Sequence, residues 1–384
     1  MKTITYSIFL TAILLPAALF SQQVSEDFYF PVPADAGDIV QSDDHNFRVD
    51  HVVEGIDVPW GMAFLPDGRV LITERSGTLH ITENGELLDQ PVSGVPEVVA
   101  RGQGGLLDIE LHPDYENNGW IYLSFSYPGS GGSSTAVIRA KLDGNTLTDH
   151  QTIFEAEPTS NRVHHFGGRI VFDDEGYLYF AIGDRGEMSN AQDLSTHSGG
   201  VFRLHDDGTV PDDNPFTDRE GARPEFWTYG NRNIQGMTVH PETGEIWAHE
   251  HGPRGGDEIN IIEKGLNYGW PEITYGINYN GSIITEDTEK PGMEQPLHYW
   301  DPSIAPSGMD FVWSDKYPNW KGDLMVGSLS FQYLHRVKLS GHDVQREEEL
   351  IKDIGRVRSV HMAPDGFLYA GVENLGIIRL LPAD

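Results

Sequence analysis

The chain has 384 residues, of which 59 are acidic and 26 basic, so its formal net charge is −33. Such an acidic surface repels nucleic acid and anionic membranes, and we expect neither to be a partner. Cysteine is absent, which excludes disulfides and thiolate metal sites.

The N-terminus has the features of an export signal. Lys2 supplies a positive charge, residues 8–20 form an apolar run, and the chain turns polar at Ser21. The run is too short to cross a bilayer comfortably, so it predicts a cleaved signal peptide over residues 1–21 and a secreted or periplasmic protein. An uncleaved membrane anchor is the alternative. Residues 22–45 are predicted to form a solvated entry segment, and the mature chain is not expected to insert into a membrane.

A repeated pattern fills the rest of the chain. Each copy has alternating apolar residues, a turn rich in proline, aspartate, glutamate and glycine, and a second apolar strand. The six copies begin at Gly61, Leu107, Arg169, Met237, Met309 and Ser359. Each copy predicts a β-hairpin, which cannot bury its own faces. Residues 46–384 are therefore predicted to form one all-β domain, a six-bladed β-propeller, with a pair of β-sandwiches as the alternative.

A spare strand precedes the first copy. Residues 47–53 read as a strand, whereas only two strands are obvious once the sixth copy has begun. The sequence therefore predicts that this N-terminal strand completes the last blade and closes the ring.

Polar residues and glycines cluster where the apolar strands begin or end. Five such clusters occupy residues 102–105, 164–169, 181–186, 229–236 and 355–359. They belong to different repeats, and in a propeller the corresponding loops converge on one mouth of the central channel. The clusters are therefore predicted to build a single site.

A sixth segment, residues 249–258, contains candidate metal ligands. His249 and His251 flank a glutamate and would face the same side of a strand, which could suit zinc or copper. Oxygen donors follow at Asp257, Glu258 and Tyr268, and together with exposed turn carbonyls they favour Ca²⁺.

Taken in order, these motifs resemble those of the soluble pyrroloquinoline-quinone-dependent glucose/sorbosone dehydrogenases, nearest the aldose sugar dehydrogenase branch. They read GQGGLLD, HHFGGR, IGDRG, GNRNIQG, HGPRGGDEIN with NYGWP, and GRVRS, within a resemblance that runs from about Val58 to Leu381. The resemblance implies oxidation of aldose sugars at the anomeric carbon to lactones, with pyrroloquinoline quinone (PQQ) and Ca²⁺ as cofactors. With no cysteine to attach a c-type haem, electrons would pass to an external acceptor.

The resemblance also implies roles for catalytic residues. His165 resembles the base that removes the proton of the sugar hydroxyl, and Asp184 resembles the carboxylate that orients it. Arg232 would stabilise charge on the quinone oxygen. His164 is expected to face away from the site, because adjacent strand residues point to opposite faces.

A larger set is implied to hold the quinone. Its members are Gln103, His165, Arg232, Asn233, Arg356 and Arg358. Arg356 and Arg358 alternate along the sequence, and a planar guanidinium binds a carboxylate in bidentate fashion, which suits a tricarboxylate cofactor. Pairing of these arginines with surface acids is the alternative.

For the metal, the resemblance implies two positions. The backbone carbonyls of Gly252 and Pro253 would bind Ca²⁺ beneath the cofactor, and Glu258 with Tyr268 would form a second calcium position. The chain departs from the glucose-specific members at Ser330, where those members carry a lysine. One cofactor cation is therefore missing or replaced, which puts glucose specificity in doubt.

Two other functions fit a secreted propeller. One is a Ca²⁺-dependent hydrolase of lactones or phosphotriesters, which would not need the arginine pair. The other is a non-catalytic binding module, against which the retained polar motifs argue. A nicotinamide cofactor is not expected, because no glycine-rich fingerprint follows a strand and opens a helix.

Overall fold

The computed structural model describes Ser25, residues 28–35 and residues 37–383 of the chain. The strands are β1 (Phe47–Val53), β2 (Pro59–Phe64), β3 (Val70–Glu74), β4 (Thr78–Glu83), β5 (Glu86–Leu87), β6 (Leu106–Leu111), β7 (Trp120–Gly129), β8 (Gly132–Asp143), β9 (Thr146–Glu155), β10 (Ile170–Phe172), β11 (Leu178–Ile182), β12 (Gly200–Leu204), β13 (Phe226–Tyr229), β14 (Ile234–Val239), β15 (Ile246–Glu250), β16 (Asp257–Ile261), β17 (His298–Trp300), β18 (Pro306–Phe311), β19 (Leu324–Ser328), β20 (Leu334–Ser340), β21 (Asp343–Leu350), β22 (Val357–Met362), β23 (Leu368–Val372) and β24 (Gly376–Pro382). Two short helices interrupt them: α1 (Tyr115–Asn118) and a 3₁₀ helix at Met188–Gln192.

The strands form six four-stranded antiparallel sheets, which confirms the predicted six-bladed β-propeller. Blade 1 is β2–β5, blade 2 is β6–β9, blade 3 is β10–β13, blade 4 is β14–β17, blade 5 is β18–β21, and blade 6 is β22–β24 with β1. Apolar clusters fill the spaces between neighbouring blades, so each sheet buries both faces and a strand such as β11 is apolar and buried throughout.

The first strand of each blade lies nearest the axis, where it contacts the first strands of the neighbouring blades. The innermost strands are β2, β6, β10, β14, β18 and β22. The loops that lead into these strands therefore gather at one end of the ring, which we call the mouth face. Four of the predicted polar motifs precede or begin innermost strands. Residues 181–186 and 249–258 instead lie where β11 and β15 end, beside the starts of β10 and β14, so all six motifs lie at the mouth face.

The ring closes as predicted. β1 pairs with β24 in an antiparallel register that runs from Phe47 opposite Pro382 to Val53 opposite Ile377. Blade 6 is thus built from both ends of the described chain, and the propeller cannot open without separating these two strands.

The entry segment is not solvated throughout, contrary to the prediction for residues 22–45. Tyr29 and Phe30 are both only 2% exposed, and they pack against Phe64 of blade 1 and Tyr369 of blade 6. Aromatic side chains of this size stabilise by burial wherever a groove accepts them. The segment therefore packs across blades 1 and 6 and links them.

The predicted signal peptide over residues 1–21 lies outside the described residues. Among the helices of residues 25–383 that the structure describes, none has the length and apolar character needed to span a bilayer.

A buried arginine lies across the axis below the mouth. Arg169 donates from Nη1 to Oδ1 of Asp108 at 3.1 Å and to the carbonyl of Trp60 at 3.2 Å. Its Nε donates to the carbonyl of Gln235 at 2.7 Å, and its Nη2 donates to the carbonyl of Arg358 at 3.0 Å. One guanidinium of blade 3 thereby joins blades 1, 2, 4 and 6.

Candidate active site

His165 and Asp184 form a direct pair. Nδ1 of His165 lies 2.6 Å from Oδ1 of Asp184. The Asp184 side chain is 1% exposed and that of His165 is 13% exposed, so the pair is largely shielded from water. With its proton on Nδ1 and donated to Asp184, the imidazole presents Nε2 as a proton acceptor.

The loop that carries His165 is held in an uncommon conformation. His165 has φ of 56°, a left-handed value that costs a non-glycine residue energy unless its surroundings enforce it. Arg185 enforces it, because its guanidinium donates to the carbonyls of His164 and Arg162 and lies 3.5 Å from the centre of the Phe166 ring. The strained backbone aims the imidazole at Asp184.

A glycine permits the close approach of the two segments. A Cβ at Gly183 would lie 2.6 Å from the carbonyl oxygen of His165 and 2.9 Å from that of Arg232. Only glycine fits beside those backbones. Gly183 therefore allows Asp184, the next residue, to reach the histidine.

Burial and hydrogen bonding act in opposite directions on this pair. Burial lowers the pKa of His165, and the hydrogen bond to Asp184 only partly opposes it. Burial alone would raise the pKa of Asp184, but the hydrogen bond from His165 and the charge of Arg232 bring it below its ordinary value. At neutral pH the site therefore holds a neutral imidazole against an ionised carboxylate.

Two further donors fix the carboxylate. Trp270 donates from Nε1 to Oδ2 of Asp184 at 2.9 Å, and the backbone N–H of Gly186 donates to Oδ1 at 2.6 Å. Sequence reasoning missed Trp270, although it belongs to the NYGWP motif. Its contact with Asp184 depends on how blades 3 and 4 pack together, which a local motif does not reveal.

A cavity of about 330 Å³ opens beside the histidine loop. Its walls carry predicted residues, aromatic rings and further polar groups: Trp60, Arg75, Gln103, Phe166, Gln235, His251, Leu329, Arg356, Arg358 and Glu373. Gln103 connects the wall to the His165–Asp184 pair, because its Oε1 accepts a hydrogen bond from the backbone N–H of His165 at 2.7 Å. The volume falls within the range of roughly 300–1,000 Å³ that is typical of small-molecule sites.

The two predicted arginines share one carboxylate. Arg356 donates from Nε to Oε2 of Glu373 at 2.7 Å, and Arg358 donates from Nη2 to Oε1 at 2.6 Å. Burial lowers the pKa of Arg358 to about 10 even with Glu373 beside it. Both guanidinium groups thus face the same point, as predicted, but an acid that the prediction missed partly neutralises them.

Glu373 follows β23 directly, and its backbone N–H donates to the carbonyl of Arg356 across the hairpin at 2.9 Å. The register of the β22–β23 hairpin could have indicated this contact, since the two residues face each other at its open end. Arg75 was also missed. It adds a third guanidinium to the cavity wall, where it donates to the carbonyl of Gly102.

Arg232 and Asn233 lie deeper than the cavity wall. Nη1 of Arg232 donates to the carbonyls of His251 and Gly252, both at 2.9 Å. Asn233 is 1% exposed, and its Oδ1 accepts from the backbone N–H of Gly167 at 3.2 Å. In this structure both side chains hold the loops around the site.

Three of the four predicted calcium positions line a hollow of about 10 Å³, enough for one water or ion. Gly252, Glu258 and Tyr268 line it together with Glu250 and Arg232. Glu250 and Glu258 are cross-strand neighbours, and burial raises the pKa of both carboxyl groups above its ordinary value. Two neighbouring buried carboxylates among backbone carbonyls are a donor set that suits Ca²⁺.

Two predicted ligands are placed differently. The hydroxyl of Tyr268 donates to the carbonyl of Ile261 and accepts from the backbone N–H of Glu263 at 2.9 Å, which leaves its backbone carbonyl as the oxygen available to an ion. Pro253 follows the lining residue Gly252 in the sequence and is buried, but it does not line the hollow itself. Glu250 was missed as a candidate ligand, because it was read only as part of a histidine-rich segment.

The zinc or copper alternative does not fit the histidine positions. His249 is fully buried, and Nε2 of His251 lies 2.7 Å from the carbonyl of Pro306. Across residues 25–383, where described, no three histidine, cysteine, aspartate or glutamate side chains come together in an arrangement that could hold a metal ion.

Known proteins match this chain over most of its length. The profile of the family described as Glucose / Sorbosone dehydrogenase matches residues 56–379. Aldose sugar dehydrogenase YliI of Escherichia coli (strain K12) is 46% identical over 329 residues, which cover 84% of this chain and 89% of the relative.

Solved structures agree. The apo form of the soluble aldose sugar dehydrogenase of Escherichia coli matches with a TM-score of 0.84 at 42% identity and covers 88% of this chain and 100% of that chain. The PQQ-bound form of an aldose sugar dehydrogenase from Streptomyces coelicolor matches with a TM-score of 0.72 at 26% identity, over 88% of this chain and 98% of that chain. The resemblance inferred from the motifs is confirmed: this chain belongs to the glucose/sorbosone dehydrogenase family.

Proposed function

We propose that this protein is a PQQ-dependent sugar dehydrogenase that oxidises aldoses at the anomeric carbon to lactones and passes the electrons to an external acceptor. The observation that carries the proposal is the hydrogen-bonded pair of His165 and Asp184 beside a cavity walled by guanidinium groups. The motifs and the dehydrogenase relatives support the same conclusion.

The cavity suits the cofactor in shape and charge. Arg75, Arg356 and Arg358 face it with a single opposing carboxylate, Glu373, so an anionic ligand gains charge-assisted hydrogen bonds there. Three guanidinium groups remain at the cavity wall although Ser330 stands where a lysine occurs in the glucose-specific members. When bound, the quinone supplies the two-electron acceptor for the hydride that leaves the sugar carbon.

Residues of this chain then accept the proton and stabilise the charge. Nε2 of His165 removes the proton of the anomeric hydroxyl, while Asp184 keeps the ring in the correct tautomer and stabilises its protonated form. Arg232 stabilises charge near the reacting oxygen. A guanidinium has five N–H donors, so Arg232 can stabilise that charge while its Nη1 still donates to the carbonyls of His251 and Gly252.

We further propose that Ca²⁺ binds at the carbonyl-lined hollow, with Gly252, Pro253, Glu258 and Tyr268 as the positions implied by the family and Glu250 as an added ligand. The buried carboxylates and the one-ion volume support this assignment. A bound cation would balance their charge, and it would compete with Arg232 for the carbonyl of Gly252.

Removal of the metal is therefore expected to lower activity. After exhaustive chelation, Ca²⁺ should restore sugar oxidation more fully than Mg²⁺, whose octahedral demand is poorly met by carbonyl-rich sites. Glu258→Gln should raise the Ca²⁺ concentration needed for half-maximal recovery, measured by titrating the metal back into stripped protein. Full activity after chelation would contradict the calcium assignment.

The arginine pair gives a second test. Arg358→Ala is expected to weaken PQQ binding by about 1.5–3 kcal/mol, the contribution of a hydrogen bond to a charged group. Arg356→Ala should weaken it less, because the Arg356 side chain is 45% exposed against 11% for Arg358. Fluorescence titration of the cofactor-free protein measures both, and unchanged affinity in both variants would reject this cofactor site.

The alternatives are not favoured. Neither a lactone or phosphotriester hydrolase nor a binding module needs an anion-binding cavity beside a proton acceptor, and two relatives that the chain covers almost fully are named as aldose sugar dehydrogenases. We propose that the protein is exported by a cleaved N-terminal signal and acts in the periplasm or outside the cell.

The proposed reaction is tested by its product. Purified protein loaded with PQQ and Ca²⁺ should convert glucose or another aldose to the lactone or its aldonic acid while a redox dye is reduced. Protein without PQQ should form none, and methyl glycosides, whose anomeric carbon is blocked, should not react. Oxidation that is independent of PQQ would refute the proposal.

A further inference from the structure

Trp270 lies where two parts of the site meet. It belongs to the loop between β16 and β17, yet it is only 5% exposed. Its Nε1 donates to Oδ2 of Asp184 at 2.9 Å, and its ring centre lies 5.3 Å from Cζ of Arg232. One indole therefore contacts both the carboxylate that orients the proposed base and the arginine proposed to stabilise charge.

Blade 3 holds the backbone of Trp270 in place. The N–H of Trp270 donates to the carbonyl of Gly230 at 2.8 Å, and its carbonyl accepts from Nε2 of Gln192, also at 2.8 Å. Gln192 in turn exchanges two hydrogen bonds with the side chain of Asn267, at 2.8 and 2.9 Å. Because the backbone is anchored and the ring is buried, the direction of the indole N–H is fixed.

A comparison within the chain separates packing from hydrogen bonding. Trp320 is fully buried in the apolar cluster between blades 5 and 6, but its Nε1 has no hydrogen-bond partner among the described residues. Burial of a tryptophan in this fold therefore does not by itself supply a partner for the N–H. The hydrogen bond from Trp270 to Asp184 is a specific feature of the site.

The indole N–H binds the oxygen of Asp184 that does not face the histidine. Oδ1 lies against Nδ1 of His165 and accepts from Gly186, whereas Oδ2 accepts from Trp270. This donor prevents the carboxylate from rotating, and it stabilises the negative charge that Oδ1 would otherwise direct at the imidazole. Asp184 therefore attracts the Nδ1 proton of His165 less strongly than a carboxylate whose second oxygen has no donor.

The ring of Trp270 restricts the position of Arg232. Arg232 is 7% exposed, and a guanidinium over an indole face gains cation–π attraction at this distance. Nη1 of the same guanidinium donates to the carbonyls of His251 and Gly252. The ring and the two carbonyls together leave the guanidinium little freedom to turn.

We infer that Trp270 is a positioning residue for sugar oxidation: its N–H fixes Asp184, and its ring fixes Arg232. This inference rests on the proposed function, which gives His165 and Arg232 their roles. The N–H has a further effect, because weakening the attraction of Asp184 for the ring proton keeps His165 neutral to a lower pH. The other charged or titratable groups that act on the pair are Arg232, Arg185 and His164.

The test uses Trp270→Phe, which keeps an aromatic ring but removes the N–H, with Trp320→Phe as the matched control. In enzyme loaded with PQQ and Ca²⁺, Trp270→Phe should lower turnover of an aldose about 10-fold, through kcat rather than KM, which is the effect of losing one hydrogen bond to a charged group. Its decline in turnover at acid pH should begin at a higher pH than in the wild type, the opposite of the shift expected when the carboxylate itself is removed in Asp184→Asn. Trp320→Phe should change neither kcat nor the pH profile.

The protonation of His165 gives a second readout that needs no turnover. In PQQ-free protein with ¹³C-labelled histidine, the Cε1 signal that is missing from His165→Ala should titrate with a higher midpoint in Trp270→Phe than in the wild type. In wild-type protein with ¹⁵N-labelled tryptophan, the Nε1 signal of Trp270 should move with the midpoint of His165, whereas that of Trp320 should not. The wild-type measurement does not depend on whether the variant folds.

Three results would overturn the inference. They are a His165 midpoint in Trp270→Phe that equals or falls below the wild-type value, a Trp270 signal that does not respond to the titration, and an equal shift in Trp320→Phe, which would show a general effect of lost packing. Wild-type protein that gives the expected titrations but oxidises no aldose would refute the proposed function instead, and would leave the pairing of Trp270 with Asp184 supported.

Discussion

Replacing His165 with alanine should lower turnover by about 10²–10⁴-fold, the usual contribution of a positioned general base. The sugar hydroxyl must lose a proton as hydride leaves its carbon, and Nε2 of His165 is the acceptor that the pairing with Asp184 leaves available. Binding of the cofactor should change little. Steady-state kinetics with an aldose and a redox dye measure the first effect, and a PQQ titration measures the second.

His164→Ala is the matched control. His164 is exposed, whereas His165 is largely buried, so the control should reduce turnover far less. Asp184→Asn should fall between the two, because it weakens the orientation of the base without removing it. If His164→Ala proves the slower enzyme, the base has been assigned to the wrong histidine.

The same pair predicts a pH dependence. The base works only when neutral, so turnover should fall as the pH decreases through the pKa of His165. Burial lowers that pKa from its ordinary value of 6.5, so the decline should begin at a more acidic pH than for an exposed histidine. Asp184→Asn removes the carboxylate that favours the protonated ring, and it should move the decline to still lower pH.

Arg169→Met is expected to destabilise the propeller by about 3–5 kcal/mol, the cost of leaving a buried partner without its counter-charge. The side chains of Arg169 and Asp108 are 4% and 6% exposed. The substitution also frees the carbonyls of Trp60, Gln235 and Arg358, which the guanidinium now joins. Urea denaturation followed by tryptophan fluorescence measures the free energy of unfolding.

Two controls define the origin of that loss. Arg162→Ala removes an exposed ion pair with Glu187, and it should change stability by no more than about 0.5 kcal/mol. Arg169→Met combined with Asp108→Asn should cost less than the sum of the single changes, since neither charge is then left buried alone. A strictly additive double variant would show that the axial pair is not the source of the effect.

The blades could be predicted because their signal is local. Each apolar hairpin with its turn is encoded within a short stretch, and the ring follows from the need to bury hairpin faces. Outer strands are different: β21 (Asp343–Leu350) is mostly polar and exposed, so apolar alternation does not reveal it. Burial of Tyr29 and Phe30 was missed for a related reason. Whether a short aromatic segment is buried depends on the surface it packs against, and here that surface is built from distant parts of the chain.

The site, too, divides into features that local motifs predict and features that depend on distant parts of the chain. Motifs led to His165, Asp184 and the two arginines, and the structure brings the first two into contact and the last two onto one acid. Glu373 was missed because its role depends on the register of a hairpin rather than on a motif. The reason given for His164 was wrong, because both histidines lie in a loop before β10 and a positive φ at His165, not strand alternation, separates their environments.

Single-turnover reduction of bound quinone tests the central claim most directly. Cofactor-free protein is loaded with PQQ and Ca²⁺, mixed anaerobically with an aldose, and followed by the absorbance of the oxidised quinone. The proposed function predicts rapid bleaching in the wild type, and bleaching slower by about 10²–10⁴-fold in His165→Ala. A wild-type spectrum that stays unchanged after the sugar is added would contradict it.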